Sequence, residues 1–133
     1  MIAHSEWKQG EIYEVAASNG NIIVFDADSK HIHGPSPMEA VLMALCSCTS
    51  VDVVSILQKK REPLTGIEVT AEAEKAPQPP RVYTRIKLQY HVRGQVSRKA
   101  VEDAVRLSEG KYCSVAAMLS KSAKITYSIE LDS

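Results

Sequence analysis

The stretch from Ser36 to Pro63 constrains this fold more than any other part of the chain. Ser36-Pro37-Met38-Glu39 has the chemistry of a helix start. Ser36 can cap the first free amides, Pro37 suits the first helical position, and Glu39 stands where a capping box needs its acid. The spacing predicts a helix running to about Lys60, stopped by Pro63. From Val41 to Leu57 it is apolar on most faces, and Gln58-Lys59-Lys60-Arg61 supplies a solvated basic end that suits the helix dipole. A helix apolar nearly all round belongs at the centre of something, a second subunit included.

The flanking segments read mostly as strands. Glu11 to Ser18 and Asn21 to Asp26 are strand-like, and Asn19-Gly20 between them is a hairpin signal. His31-Ile32-His33-Gly34-Pro35-Ser36-Pro37 reads as a loop from its Gly and Pro content. Gly66 to Lys75 and Arg81 to Arg93 read as two strands joined by the proline-rich Ala76-Pro77-Gln78-Pro79-Pro80. In the second, Val82, Thr84, Ile86, Leu88, Tyr90 and Val92 alternate with mostly polar residues, and Arg81 and Arg85 fall on the wet face.

Ser97 is placed to cap a helix with Ala100, Val101, Ala104, Val105 and Leu107 on one side, ended by Gly110. A short helix from Ser114 to Lys121 and a strand from Lys124 to Leu131 complete the chain, the strand with Ile125, Tyr127, Ile129 and Leu131 on one face. Strands, a long helix, two strands, two helices and a strand predict an α+β domain over residues 1–133, its largely antiparallel sheet against the long helix.

With 133 residues the chain can bury one core without disulfide staples. Lys and Arg number 16, as do Asp and Glu, so no bulk field recruits nucleic acid or a membrane surface. No basic-then-apolar leader is read at Met1-Ile2-Ala3-His4-Ser5-Glu6, and the apolar run is expected to fall short of the roughly 20 residues of a bilayer span. Three cysteines without a secretion signal predict a reducing, cytoplasmic setting, with free thiols or a transient redox disulfide.

The cysteines carry the chemistry. Cys46 and Cys48, two apart on a helix, point about 200° away from each other and cannot share a metal or a disulfide while the helix is intact. His31 and His33 in the preceding loop read as surface residues, not ligands. Cys113 precedes a helix and follows Lys111, a setting that predicts a favoured thiolate. Cys48 gains nothing from a helix end, and its simplest reading is a small core residue. Asp52, one turn after Cys48, needs a partner if buried. Glu39 lies about two and a half turns before Cys48, roughly 180° round the helix, so a direct contact in a straight helix is not expected.

At these residues the chain resembles the OsmC/Ohr family of osmotically induced and organic-hydroperoxide-resistance proteins. The matching stretches are Gly34-Pro35-Ser36-Pro37-Met38-Glu39, then Ala44-Leu45-Cys46-Ser47-Cys48-Thr49 with Asp52-Val53-Val54-Ser55-Ile56-Leu57, and Leu107-Ser108 with Lys111-Tyr112-Cys113-Ser114-Val115. The resemblance spans nearly the whole chain and is nearest to the family's short branch. It implies an intertwined α+β homodimer with the long helices at its centre. It also implies thiol-dependent reduction of organic hydroperoxides, with Cys48 as the peroxidatic cysteine passing through a sulfenic acid and Cys113 as the resolving cysteine. A dithiol or lipoyl reductant would restore both thiols, and no metal or organic cofactor is implied. Cys46 matches a small packing residue. Glu39 matches the neighbourhood of a catalytic glutamate whose usual arginine partner comes from the N-terminal strands. Here the first arginine is Arg61, which leaves Lys8, His31 or His33 as candidate cations.

Two other readings stand beside the peroxidase: a thiol redox sensor that forms the same disulfide without useful turnover, and a non-catalytic dimer that binds an apolar small molecule.

Overall fold

The strand and helix order set by the sequence pattern recurs in the computed structural model, which describes all residues, Met1–Ser133. Its contacts gather into two compact units, Met1–Leu42 and Met43–Ser133.

The first unit holds an antiparallel sheet of β1 (Ala3–Gln9), β2 (Ile12–Ala17) and β3 (Ile22–Asp26), in that order. Tyr13 faces Phe25 across β2 and β3, and Gly20 takes a positive φ of 81° in the turn, as the Asn-Gly pair requires. The strand β1 is exposed along its whole length, so its burial carries no alternation and nothing marked its limits in the sequence. After β3 the Asp26 carboxylate accepts from the amides of Asp28 and His33, at 2.9 and 3.1 Å. A Cβ on Gly34 would collide with the Val24 carbonyl oxygen, so only glycine lets this loop close onto the strand.

The long helix α1 (Pro37–Lys59) begins in the first unit with the capping box complete. The Glu39 amide donates to Ser36 Oγ at 3.1 Å, and the Ser36 amide donates to Glu39 Oε1 at 2.9 Å. Its buried residues Leu45, Thr49, Val53 and Leu57 fall four apart and form a single stripe. The nearly all-round burial expected of it is therefore not met within one chain, where Met43 and Val51 stay more than half exposed. The helix has 23 residues, and its most apolar 18-residue stretch reaches a mean hydropathy of 2.0, enough to cross a bilayer by length and composition alone. Ser47, Thr49, Ser50 and Asp52 lie along it.

In the second unit β4 (Leu64–Lys75) pairs antiparallel with β5 (Tyr83–Gly94), and β5 pairs parallel with β6 (Lys124–Asp132). A parallel neighbour needs a crossover, and α2 (Arg98–Leu107), a π turn (Ser108–Tyr112) and α3 (Ser114–Leu119) supply it. This sheet is thus mixed, where the pattern suggested a largely antiparallel one. On β5 the residues Ile86, Leu88, Tyr90 and Val92 are buried as expected. A register shift at Glu74/Lys75 turns Tyr83 inward and leaves Val82 and Thr84 exposed. Ser97 caps α2 by accepting from the Ala100 amide at 3.3 Å, and Ala100, Val101, Ala104 and Val105 are its buried face. Gly110 does not stop this helix. It lies inside the π turn that continues from it.

Candidate thiol site and its polar chain

Within the second unit the fold joins residues far apart in the chain. Cys113 is buried between the π turn and α3, close enough to Cys48 in the middle of α1 for the two thiols to influence each other's ionisation. Cys48 is half-buried, and all three cysteines are free thiols.

The expectation of a favoured thiolate at Cys113 is reversed. Its sulfur does cap α3, accepting from the Ala116 amide at 3.3 Å, and that contact favours the thiolate. Burial outweighs it, the neighbouring Cys48 adds to burial, and Glu109 adds a little more when ionised, so the thiol is pushed up to about 12. Lys111 does not offset this, because its ammonium sits 5.2 Å from the ring centre of Tyr112 on the surface. Cys113 is a protonated thiol at rest.

Beside the thiols runs a chain of oxygen atoms. Ser108 Oγ lies 2.8 Å from Asp52 Oδ2 and 2.7 Å from Thr49 Oγ1. Thr49 Oγ1 lies 2.6 Å from the Tyr90 hydroxyl, which lies 2.7 Å from Glu109 Oε2. Thr49 and Ser108 are fully buried, as is Tyr90. Burial raises the pKa of Glu109, outweighing the lowering pull of the Tyr90 and Thr49 hydroxyls, and the charge of Asp52 adds a smaller push upward. Burial likewise holds the Tyr90 hydroxyl far above its ordinary range.

The π turn explains how Ser108 and Glu109 both join this chain. It follows α2 directly, and its first two residues both reach the chain, Ser108 through Oγ and Glu109 through Oε2. Asp52 finds the partner its apolar helix demanded. Thr49, Tyr90, Ser108 and Glu109 were not singled out in the sequence. The available signal was Thr49, a hydroxyl in register with the buried stripe of Leu45 and Val53, since a buried hydroxyl must be paired.

Glu39 lies in the first unit, where it closes the capping box and stands 4.0 Å from His31 Nε2. His31 Nδ1 is 3.0 Å from the Asp26 carbonyl oxygen. Of the candidate cations, His31 is thus the one beside Glu39, while Lys8 pairs with Glu6 at 2.8 Å and Glu14 at 3.8 Å. Cys46 is half-buried, and burial raises its thiol pKa, in keeping with a packing role.

The sequence pattern of the OsmC-like proteins matches residues 27–128. The chain belongs to the OsmC-like family. Protein YhfA of Escherichia coli K12 is 42% identical over 132 residues, which cover 98% of each chain. A crystal structure of a hypothetical protein from Aquifex aeolicus superposes with a TM-score of 0.85 at 32% identity, covering 99% of this chain and 97% of that one. The organic hydroperoxide resistance protein OhrB of Bacillus subtilis superposes at 0.69 with 12% identity over 98% of each chain, a likeness of fold. The family's α+β fold is the one described above.

Proposed function

We propose that this protein is a thiol-dependent peroxidase of the cytoplasm that reduces organic hydroperoxides through Cys48 and Cys113. The observation that carries the reading is the proximity of a half-buried and a buried cysteine delivered by separate elements. Cys48 is the more accessible of the two, so it takes the peroxidatic role. As thiolate it attacks one peroxide oxygen, the O–O bond breaks, the alcohol leaves with a proton, and Cys48 becomes a sulfenic acid. Cys113 then attacks the Cys48 sulfur, and its own proton leaves with the displaced hydroxyl as water. Two thiols and one hydroperoxide give a disulfide, an alcohol and water, and a dithiol or lipoyl reductant restores the thiols by exchange.

A homodimer fits the same reading. Met43 and Val51 on α1, and Ile22 and Ile23 on β3, are large apolar side chains left exposed by the single chain. Glu39 falls in the neighbourhood of the family's glutamate, and we assign it a supporting part in catalysis, with His31 as its neighbouring candidate cation.

Multiple-turnover consumption of cumene hydroperoxide with a dithiol reductant tests the proposal. Sustained turnover supports it. A single stoichiometric oxidation that then stops would favour a redox sensor, a reading to which the buried, protonated state of Cys113 lends weight.

A further inference from the structure

The polar chain beside the thiols does not balance on hydroxyl protons alone. It runs Asp52, Ser108, Thr49, Tyr90, Glu109 through four oxygen–oxygen contacts of 2.6 to 2.8 Å. Each contact that short holds a proton, since two oxygens with only lone pairs facing repel at such a distance. Ser, Thr and Tyr hydroxyls carry one proton each. Three hydroxyls therefore leave one of the four contacts empty if both carboxyls are ionised. The longer approach of Thr49 Oγ1 to Glu109 Oε2, 3.5 Å, adds no donor.

We infer that these five side chains hold one carboxyl proton in common, that it rests on Glu109, and that it keeps the carboxyl facing Cys113 neutral. The inference assigns Glu109 as a positioning residue for the thiol pair. Its consequence for catalysis rests on the peroxidase reading, whereas the shared proton does not.

Glu109 is the natural resting place for several reasons. It is the carboxyl whose protonation burial favours, and the charge of Asp52 acts in the same direction. With both carboxyls ionised Tyr90 donates to Glu109 and Ser108 to Asp52; with the proton on Glu109 the first of these reverses, and the chain can order itself in one direction, Glu109 to Tyr90 to Thr49 to Ser108 to Asp52. Each hydroxyl then donates once and accepts once, and the ionised Asp52 accepts at the far end. The groups that bear on Glu109 are Tyr90 from β5, Thr49 and Asp52 from α1, and Cys113 ahead of α3.

The chain matters to Cys113 through charge. An ionised Glu109 raises the cost of a negative sulfur at Cys113. The resolving step needs Cys113 to build up negative charge as it attacks the Cys48 sulfenic sulfur. A neutral Glu109 permits this, and an ionised one opposes it. Resolution should therefore be fastest while the shared proton is present and should slow as pH rises and removes it.

Infrared spectroscopy of the reduced full-length protein reads the proton directly. The carbonyl band of a protonated carboxylic acid should persist to near-neutral pH, where ordinary glutamates are ionised, and should vanish in Glu109→Gln. Tyr90→Phe, which interrupts the chain while keeping Glu109, should shift that band and serves if Glu109→Gln does not fold. Absence of the band near neutrality, or a band unmoved by either variant, overturns the shared proton whether or not the protein consumes peroxide. In single-turnover disulfide formation, wild type should slow as pH rises through the Glu109 titration, and Glu109→Gln should lack that limb. A limb retained in Glu109→Gln overturns the positioning role.

Discussion

Cys48 and Cys113 lie close enough to influence each other's ionisation although one is in the middle of α1 and the other caps α3 with its own sulfur. The cap constrains the pair, because the Ala116 amide points at Cys113 Sγ and fixes the sulfur against the helix start. In the proposed cycle Cys48, the more exposed of the two, meets substrate, and the buried Cys113 resolves it. This division of labour predicts different outcomes for the two serine variants. Cys48→Ser should lower peroxide turnover on the order of a thousandfold or more, as loss of a nucleophile does. Cys113→Ser should instead let a Cys48 sulfenic acid accumulate, trappable by a dimedone-type reagent and located by peptide mass spectrometry. Unchanged turnover in both variants would exclude the cysteine mechanism.

Cys46 sits on α1 two residues before Cys48 and points to another side of the helix. Cys46→Ala should cost about 1 kcal/mol or less, for the loss of one half-buried sulfur. Turnover should be kept. Urea unfolding and a peroxide assay on the same preparation decide the matter, and loss of turnover in a stably folded variant would move the peroxidatic role away from Cys48.

Glu39 combines a structural task with a proposed catalytic one, and two substitutions separate them. Ser36→Ala removes the oxygen that accepts from the Glu39 amide and should cost about 1 kcal/mol of stability. Glu39→Gln keeps an oxygen able to accept from the Ser36 amide, so the capping box and the melting temperature should be nearly preserved. If the carboxylate serves the reaction, Glu39→Gln slows disulfide formation despite its intact fold. Wild-type kinetics in Glu39→Gln would confine Glu39 to capping.

The raised pKa of Glu109 has a consequence for stability with a definite sign. Between the ordinary glutamate value and its own raised value, Glu109 binds more proton in the folded state than in the unfolded one. Stability contributed by this group is therefore present at acid pH and falls as pH rises through that window. The difference in unfolding free energy between wild type and Glu109→Gln, followed by urea denaturation across pH, should drift in the variant's favour over that window and then level off. A flat difference would mean that Glu109 has the same proton affinity folded and unfolded.

Much of this fold was legible because its signals are local. The Ser36/Glu39 box, the Asn19-Gly20 turn, the Ser97 cap and the alternation on β5 each arise from residues close in the chain, and each is found in place. What stayed hidden depends on partners that no local pattern names. The parallel pairing of β6 follows from where the crossover returns the chain, and the exposed β1 has no buried face to alternate. The thiol pair was legible only through resemblance to a family, since a lone cysteine in an apolar helix reads as core. The polar chain was missed because Thr49, Tyr90, Ser108 and Glu109 come from three elements, and the π turn broke the helical periodicity that would have placed the last two.

The most direct test of the account is mass spectrometry of the reduced protein after one equivalent of cumene hydroperoxide, with the same dose of hydrogen peroxide in parallel. The account predicts a rapid loss of two hydrogens, mapped to a Cys48–Cys113 disulfide and faster with the organic peroxide. Thiols that remain reduced for many minutes under both oxidants would contradict it.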